Sequence, residues 1–203
     1  MSKSAVVRGA SKAASIWSKI DAAVKAKGGS EDALDILDRE EGAPLVDVIA
    51  GILVKAELKT RTRFPVTVDY TKPLDAMITA GNYDYRNDNI TTENFPVTGN
   101  GTVECEVILV HFDRSIKSEA AITEMEQLDL RPATLTELLA FGETYPEIQR
   151  EFPIICLGSS WVDSDGYRNV PYLDRWRAGG RLDLGWFGGG WRRDCRFAAV
   201  RKS

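Results

Sequence analysis

Histidine is almost missing from this chain of 203 residues: His111 stands alone, beside three cysteines and three methionines. A single imidazole excludes two-histidine metal sites and narrows the scope for nucleophile and base pairs. Cys105, Cys156 and Cys195 form an odd set without CxxC or CxxxxC spacing. No disulfide framework is expected, and the count fits a reducing cytoplasm. No stretch approaches the ~20 apolar residues that cross a bilayer, and Met1 to Gly9 lacks the apolar segment of a secretory signal. A cytoplasmic chain without a membrane partner is therefore expected. A phosphate loop is absent too, because Gly188-Gly189-Gly190 is followed by Trp191 rather than by Lys-Ser/Thr and a helix. The spacing G-x-S-x-G is missing around Ser159. Neither cofactor nor metal is expected, and no internal repeat is visible.

What is present is an ordinary apolar fraction, 43%, with 28% charged residues, as in globular proteins. The net charge of −4 is unevenly spread. From Trp161 to Ser203 eight Arg and one Lys oppose five Asp, a net of +4, which leaves −8 in residues 1–160. The stretch from Ser118 to Lys202 also holds four of the five tryptophans. A basic, aromatic end on an acidic body suits an anionic or planar ligand, although arginines along strands also discourage sheet-to-sheet pairing.

Periodicity predicts three short helices in residues 1–60: Ser11 to Lys27, a segment capped by Ser30 with leading Glu31 and Asp32, and a third after Pro44. A small bundle of this kind reads as a docking element or as a means of homo-oligomerisation. The basic run Lys59 to Arg63 marks a boundary, and residues 64–203 read as an α+β domain. Phe64, Val66 and Val68 alternate as a strand. Pro73 opens a helix from Leu74 to Ala80 that Gly81 stops. Asn82 to Asn89 is dense in residues that form Asx turns, and Val103 to Phe112 is the clearest strand. Residues 118–202 read as a helix from Ser118, a second helix whose Thr134 and Glu137 have capping-box spacing, a buried strand over Phe152 to Leu157, and short strands between turns. The expected class is α+β: a helical bundle, then a domain with two helices and a small antiparallel sheet.

Certain residues in that order carry a resemblance. Ala121 stands on the first helix, Leu130-Arg131-Pro132-Ala133-Thr134 with Glu137 opens the second, and Leu157-Gly158-Ser159-Ser160-Trp161 forms a central strand. Trp191 and then Cys195-Arg196-Phe197 close the chain. Residues 118–202 resemble the C-type lectin-like fold, including the bacterial relatives of formylglycine-generating enzymes. From Phe64 onward the chain also resembles an uncharacterised bacterial protein family. The resemblance implies a ligand-carrying C-terminal surface, with two departures. Calcium-dependent lectins use a Trp-Asn-Asp triplet, whereas Trp191 is followed by Arg192-Arg193-Asp194, whose guanidinium groups would repel a divalent cation. The active cysteine pair of the formylglycine-generating enzymes is unmatched.

Three readings of function follow. The first is a non-catalytic module that binds a protein or small ligand through Trp161, Trp176, Arg177, Arg181, Trp191, Arg192, Arg193 and Asp194, since tryptophan and arginine dominate binding hot spots. Against it stands the reading of Trp161, Trp186 and Trp191 as structural anchors. The second is an enzyme whose site gathers Asn82 to Asn89 with His111 and Asp113, against which a histidine at a strand end is commonly structural. The third, ranked below these, is nucleic-acid binding through the basic end. Asp163-Ser164-Asp165-Gly166 has the start of a calcium loop, but its glycine is early and no Glu closes it, so a hairpin turn is expected.

Overall fold

The structure, a computed structural model, describes residues 3–60 and 63–202. The chain divides into two compact units, Met1–Glu57 and Leu58–Ser203. Of the basic run expected as a linker, Lys59 and Thr60 end a helix and Arg63 begins a strand, while Arg61 and Thr62 lie outside the described residues.

The first unit contains helix α1 (Lys3–Ala26), 3-10 turns at Glu31–Asp38 and Glu40–Gly42, and the start of helix α2 (Ala43–Thr60). Gly28, at φ +85, ends α1 in the left-handed conformation that glycine adopts without strain. Ser30 precedes the first 3-10 turn without making a side-chain cap. The expected bundle is corrected here. Its middle helix is 3-10, and Gly42 is the one buried position among residues whose side chains are described.

The second unit runs β1 (Arg63–Asp69), α3 (Leu74–Ala80), β2 (Tyr85–Arg86), β3 (Thr102–Val110), β4 (Ile116–Lys117), α4 (Ser118–Gln127) and β5 (Leu130–Pro132). It continues with α5 (Leu135–Thr144), a 3-10 turn (Ile148–Arg150), β6 (Ile154–Ile155), β7 (Trp161–Val162), β8 (Arg168–Trp176), β9 (Gly179–Trp186), β10 (Gly190–Trp191) and β11 (Arg196–Arg201). β1 buries Phe64, Val66 and Val68 on alternate positions, as its sequence dictates. Thr134 and Glu137 form the reciprocal capping box that starts α5.

The small antiparallel sheet expected after two helices is not what forms. Nine strands make one mixed sheet, in the order β1-β3-β11-β6-β8-β9-β2, with β5 paired to β11 and β7 to β8. β10 and β4 make a separate pair. The correction has a physical origin in the last strand. β11 inserts at the centre, antiparallel to β3 and β5 and parallel to β6, so residues from before Ser118 belong to the same sheet as those after it. The architecture is a mixture of helices and a large mixed sheet.

Apolar layers lie on both faces. One packs Phe64, Val66, Leu173 and Leu182 with residues of α3 and α5; the other packs Ile155, Val170 and Phe197 with Ala121 and Met125 of α4. Phe64, Phe141 and Tyr145 form an aromatic cluster with centroids 5.0–5.6 Å apart, in the range aromatic pairs favour. No helix among the described residues is long and apolar enough to cross a membrane.

Candidate functional site

The β8 and β9 hairpin decides where the arginines and tryptophans point. Its register sets Tyr172 opposite Asp183, Asp174 opposite Arg181 and Trp176 opposite Gly179. Side chains alternate across a strand, so these six positions share one face. β6 adds Ile155 beside Tyr172, and β2 adds Tyr85 beside Arg181. The loop is Arg177-Ala178, with Arg177 at φ +53. Gly179 and Gly180 are paired strand residues. A β-carbon at Gly179 would run into the Asp84 carboxylate, so any other residue there would displace that exposed side chain.

Arg181 is the centre of this face. Its Nε and Nη2 donate to the two Asp174 oxygens at 2.7 and 2.6 Å, the forked geometry that fits guanidinium to carboxylate. Nη1 lies 3.5 Å from Asp183 Oδ2. The guanidinium carbon sits 5.0 Å from the centroid of Trp176 and 5.5 Å from that of Tyr172, within cation–π range. Asp174, through its hydrogen bond, holds the Arg181 pKa above the usual arginine value. Asp183 also accepts from Asn87 Nδ2 at 2.7 Å and from the Tyr172 hydroxyl at 3.3 Å. Burial first, and the Asp183 charge second, raise the Tyr172 hydroxyl above its ordinary range. Tyr85 packs on Trp176 with centroids 5.7 Å apart.

Beside this cluster opens a cleft of about 230 Å³, bounded by Ile155, Tyr172, Asp174, Arg181, Trp191 and Arg192. Trp191 is its fixed wall. Its Nε1 donates to Ser118 Oγ at 2.9 Å, and the buried Ser118 hydroxyl donates in turn to the Phe187 carbonyl at 2.6 Å. At the rim, Arg192 donates to Asp194 through Nε and Nη2 at 3.1 and 2.9 Å, with the arginine side chain 75% exposed. Cys195 also borders the cleft. Burial, then the Asp194 charge, pushes its thiol up, which disfavours the thiolate a nucleophile needs.

The sequence-predicted residues thus separate. Trp176, Arg181, Trp191 and Arg192 come together, Asp194 pairs at the rim, and Arg177 forms the exposed hairpin tip. Trp161 lies opposite Asn169 on the other face and packs against the core there. Trp186 shares that other face, 55% exposed and edge-on to Tyr167 at 6.0 Å. Arg193 turns away to Asp113, to which its Nη2 donates at 2.9 Å. Chiefly by that hydrogen bond, Arg193 lowers the Asp113 pKa.

The grouping behind the enzyme reading does not assemble. His111 Nε2 lies 2.8 Å from the Arg193 carbonyl oxygen, just beyond β3. Tyr85 and Asn87 belong to β2 and its continuation at the far edge of the sheet. Five strand spacings separate β3 from β2, roughly 24 Å at the usual inter-strand distance. Asp163 closes a hairpin turn: its Oδ1 accepts from the amides of Asp165 and Tyr167 at 3.1 and 2.9 Å, and its Oδ2 from Asn169 at 2.9 Å. No metal-holding group of three such ligands occurs among the described residues.

Tyr172, Asp174 and Asp183 carry no local mark of the site in the sequence, whereas Tyr85 and Asn87 lie in the Asn82 to Asn89 stretch but join the β8 and β9 face rather than His111. Asp174 and Arg181 flank the hairpin loop as a cross-strand pair of opposite charge, a signal that becomes readable once the loop is placed at Arg177-Ala178. A second furrow, of about 520 Å³, runs along β1 and β3, with Thr67, Asp69, Lys72, Glu104 and Glu143 among its lining residues. Its carboxylates are engaged locally in part, since Thr67 Oγ1 donates to Glu104 at 2.6 Å and Thr71 Oγ1 to Asp69 at 2.6 Å. No family model, no curated protein and no solved structure matches the chain.

Proposed function

We propose that this chain is a non-catalytic binding module whose ligand, a protein segment or a small molecule, sits on the open face formed by β2, β8, β9 and β10. One observation carries the reading: a cleft with a rigid indole on one side and, on the other, a guanidinium already oriented by two carboxylates and two aromatic rings. Such a site is pre-organised, so little side-chain entropy is lost on binding. Arg192 at the rim is its adaptable contact, and Trp176, 37% exposed, extends the surface beside it through Arg181. A ligand that combines a flat or apolar group with hydrogen-bonding or charged groups fits this lining.

Arg181, Arg192 and Arg193 each face a carboxylate, so these three guanidinium groups are not open phosphate contacts. The +4 of the C-terminal stretch already subtracts Asp174, Asp183 and Asp194, and only Asp113 reduces it further. Affinity capture tests the proposal. Full-length chain and its Trp176→Ala/Arg192→Ala variant are used as bait in lysate of the source cells, and bound species are quantified. Hot-spot losses of about 2 kcal/mol correspond to a fall of roughly 30-fold. Equal recovery by a folded variant contradicts the proposal.

A further inference from the structure

The first unit displays an apolar surface that its own residues leave uncovered. Nine of its large apolar side chains are more than a third exposed, from Ile36 at 37% to Leu53 at 64%. On α2, Leu45, Val46, Val48, Ile49, Ile52 and Leu53 fall within an arc of about 160° at the helical repeat. Ile16, Trp17, Ile20 and Val24 make a matching stripe on α1. Between the stripes runs a groove of about 530 Å³, whose floor includes Leu34 and Leu37 and whose lining residues are all apolar. The exposed side chains leave on the order of 800 Å² in water, the area one partner contributes to an interface of standard size.

Charge identifies the occupant. Among the residues whose side chains are described, α1 and its end carry Lys19, Lys25 and Lys27 against Asp21, whereas residues 32–42 carry five Asp or Glu against Arg39. A partner of one charge sign would be repelled at one end of the groove. A second copy of the chain carries both signs in the same order, so a two-fold arrangement sets basic α1 of each copy against the acidic 32–42 of the other.

We infer that this surface is a homodimer interface in which α1 and α2 of both copies form a four-helix contact. The inference is independent of the ligand face on the sheet. Sedimentation velocity on the full chain at high micromolar concentration should give twice the 22.5 kDa chain mass. Val48→Glu/Ile52→Lys should return single chains while the thermal transition of the second unit stays in place; both side chains are more than half exposed, at 59% and 61%, so one copy tolerates the change. Asp35→Lys/Asp38→Lys, at exposed positions, should weaken the dimer at least about 10-fold. A wild-type chain that sediments at 22.5 kDa overturns the inference, as does a dimer that survives Val48→Glu/Ile52→Lys, and a dimer unaffected by the aspartate reversals overturns the charge-matched arrangement.

Discussion

A single hydrogen at Gly185 keeps the wall of the cleft in place. A β-carbon built there would lie 2.7 Å from Trp191 Cη2 and 3.1 Å from Cζ3, closer than carbon atoms approach in packed interiors. Gly185→Ala must therefore move the indole, and its bond to Ser118 with it. Overpacking of this kind costs about 1–3 kcal/mol; a lowered urea midpoint together with altered Trp191 emission is the expected outcome. The thiols set a pH limit at the same scale. Burial, then the Glu137 charge, pushes Cys105 up to about 11, and burial pushes Cys156 up to about 12, from an ordinary value near 9. The fold favours both protonated forms, so their contribution is complete below pH 9 and is lost as the pH rises through about 11 and then about 12. Unfolding curves across this alkaline range should fall more steeply for the wild type than for Cys105→Ala/Cys156→Ala. Equal slopes would contradict the assignment.

Among the elements, β11 has the most consequential position, since six residues from Arg196 to Arg201 tie β3, β5 and β6 together. Ending the chain before Arg196 should abolish cooperative unfolding, whereas removing Lys202 and Ser203 should leave it intact; circular dichroism during thermal melts distinguishes the two. This strand also marks the limit of what the sequence discloses. The helix from Pro73 to Gly81, the capping box at Thr134 and Glu137, and the alternation of Phe64, Val66 and Val68 are legible because each signal is local. That Phe197 would lie beside both Val110 and Ile155 is not, because long-range pairing leaves no mark in spacing. The same holds for the site. Trp176 and Arg181 could be named from composition, but their carboxylate partners depended on hairpin register, and the loop expected near His111 lies at the opposite edge.

In the whole molecule, the apolar core and the candidate ligand face belong to one unit, and every buried apolar side chain among the described residues lies between Phe64 and Val200. The other unit presents apolar surface outward. Three of the eight arginines in the C-terminal sequence, Arg181, Arg192 and Arg193, are paired with Asp174 and Asp183, with Asp194 and with Asp113, so these three shape a surface more than they charge it. The five indole N–H groups allow the central claim to be tested directly. In a ¹H–¹⁵N spectrum of the full chain, with the five indole signals assigned by single Trp→Phe variants, addition of a ligand recovered by affinity capture should shift the signals of Trp176 and Trp191 and leave those of Trp17 and Trp161 unmoved. Shifts confined to Trp17, Trp161 or Trp186 would place binding elsewhere and contradict the account.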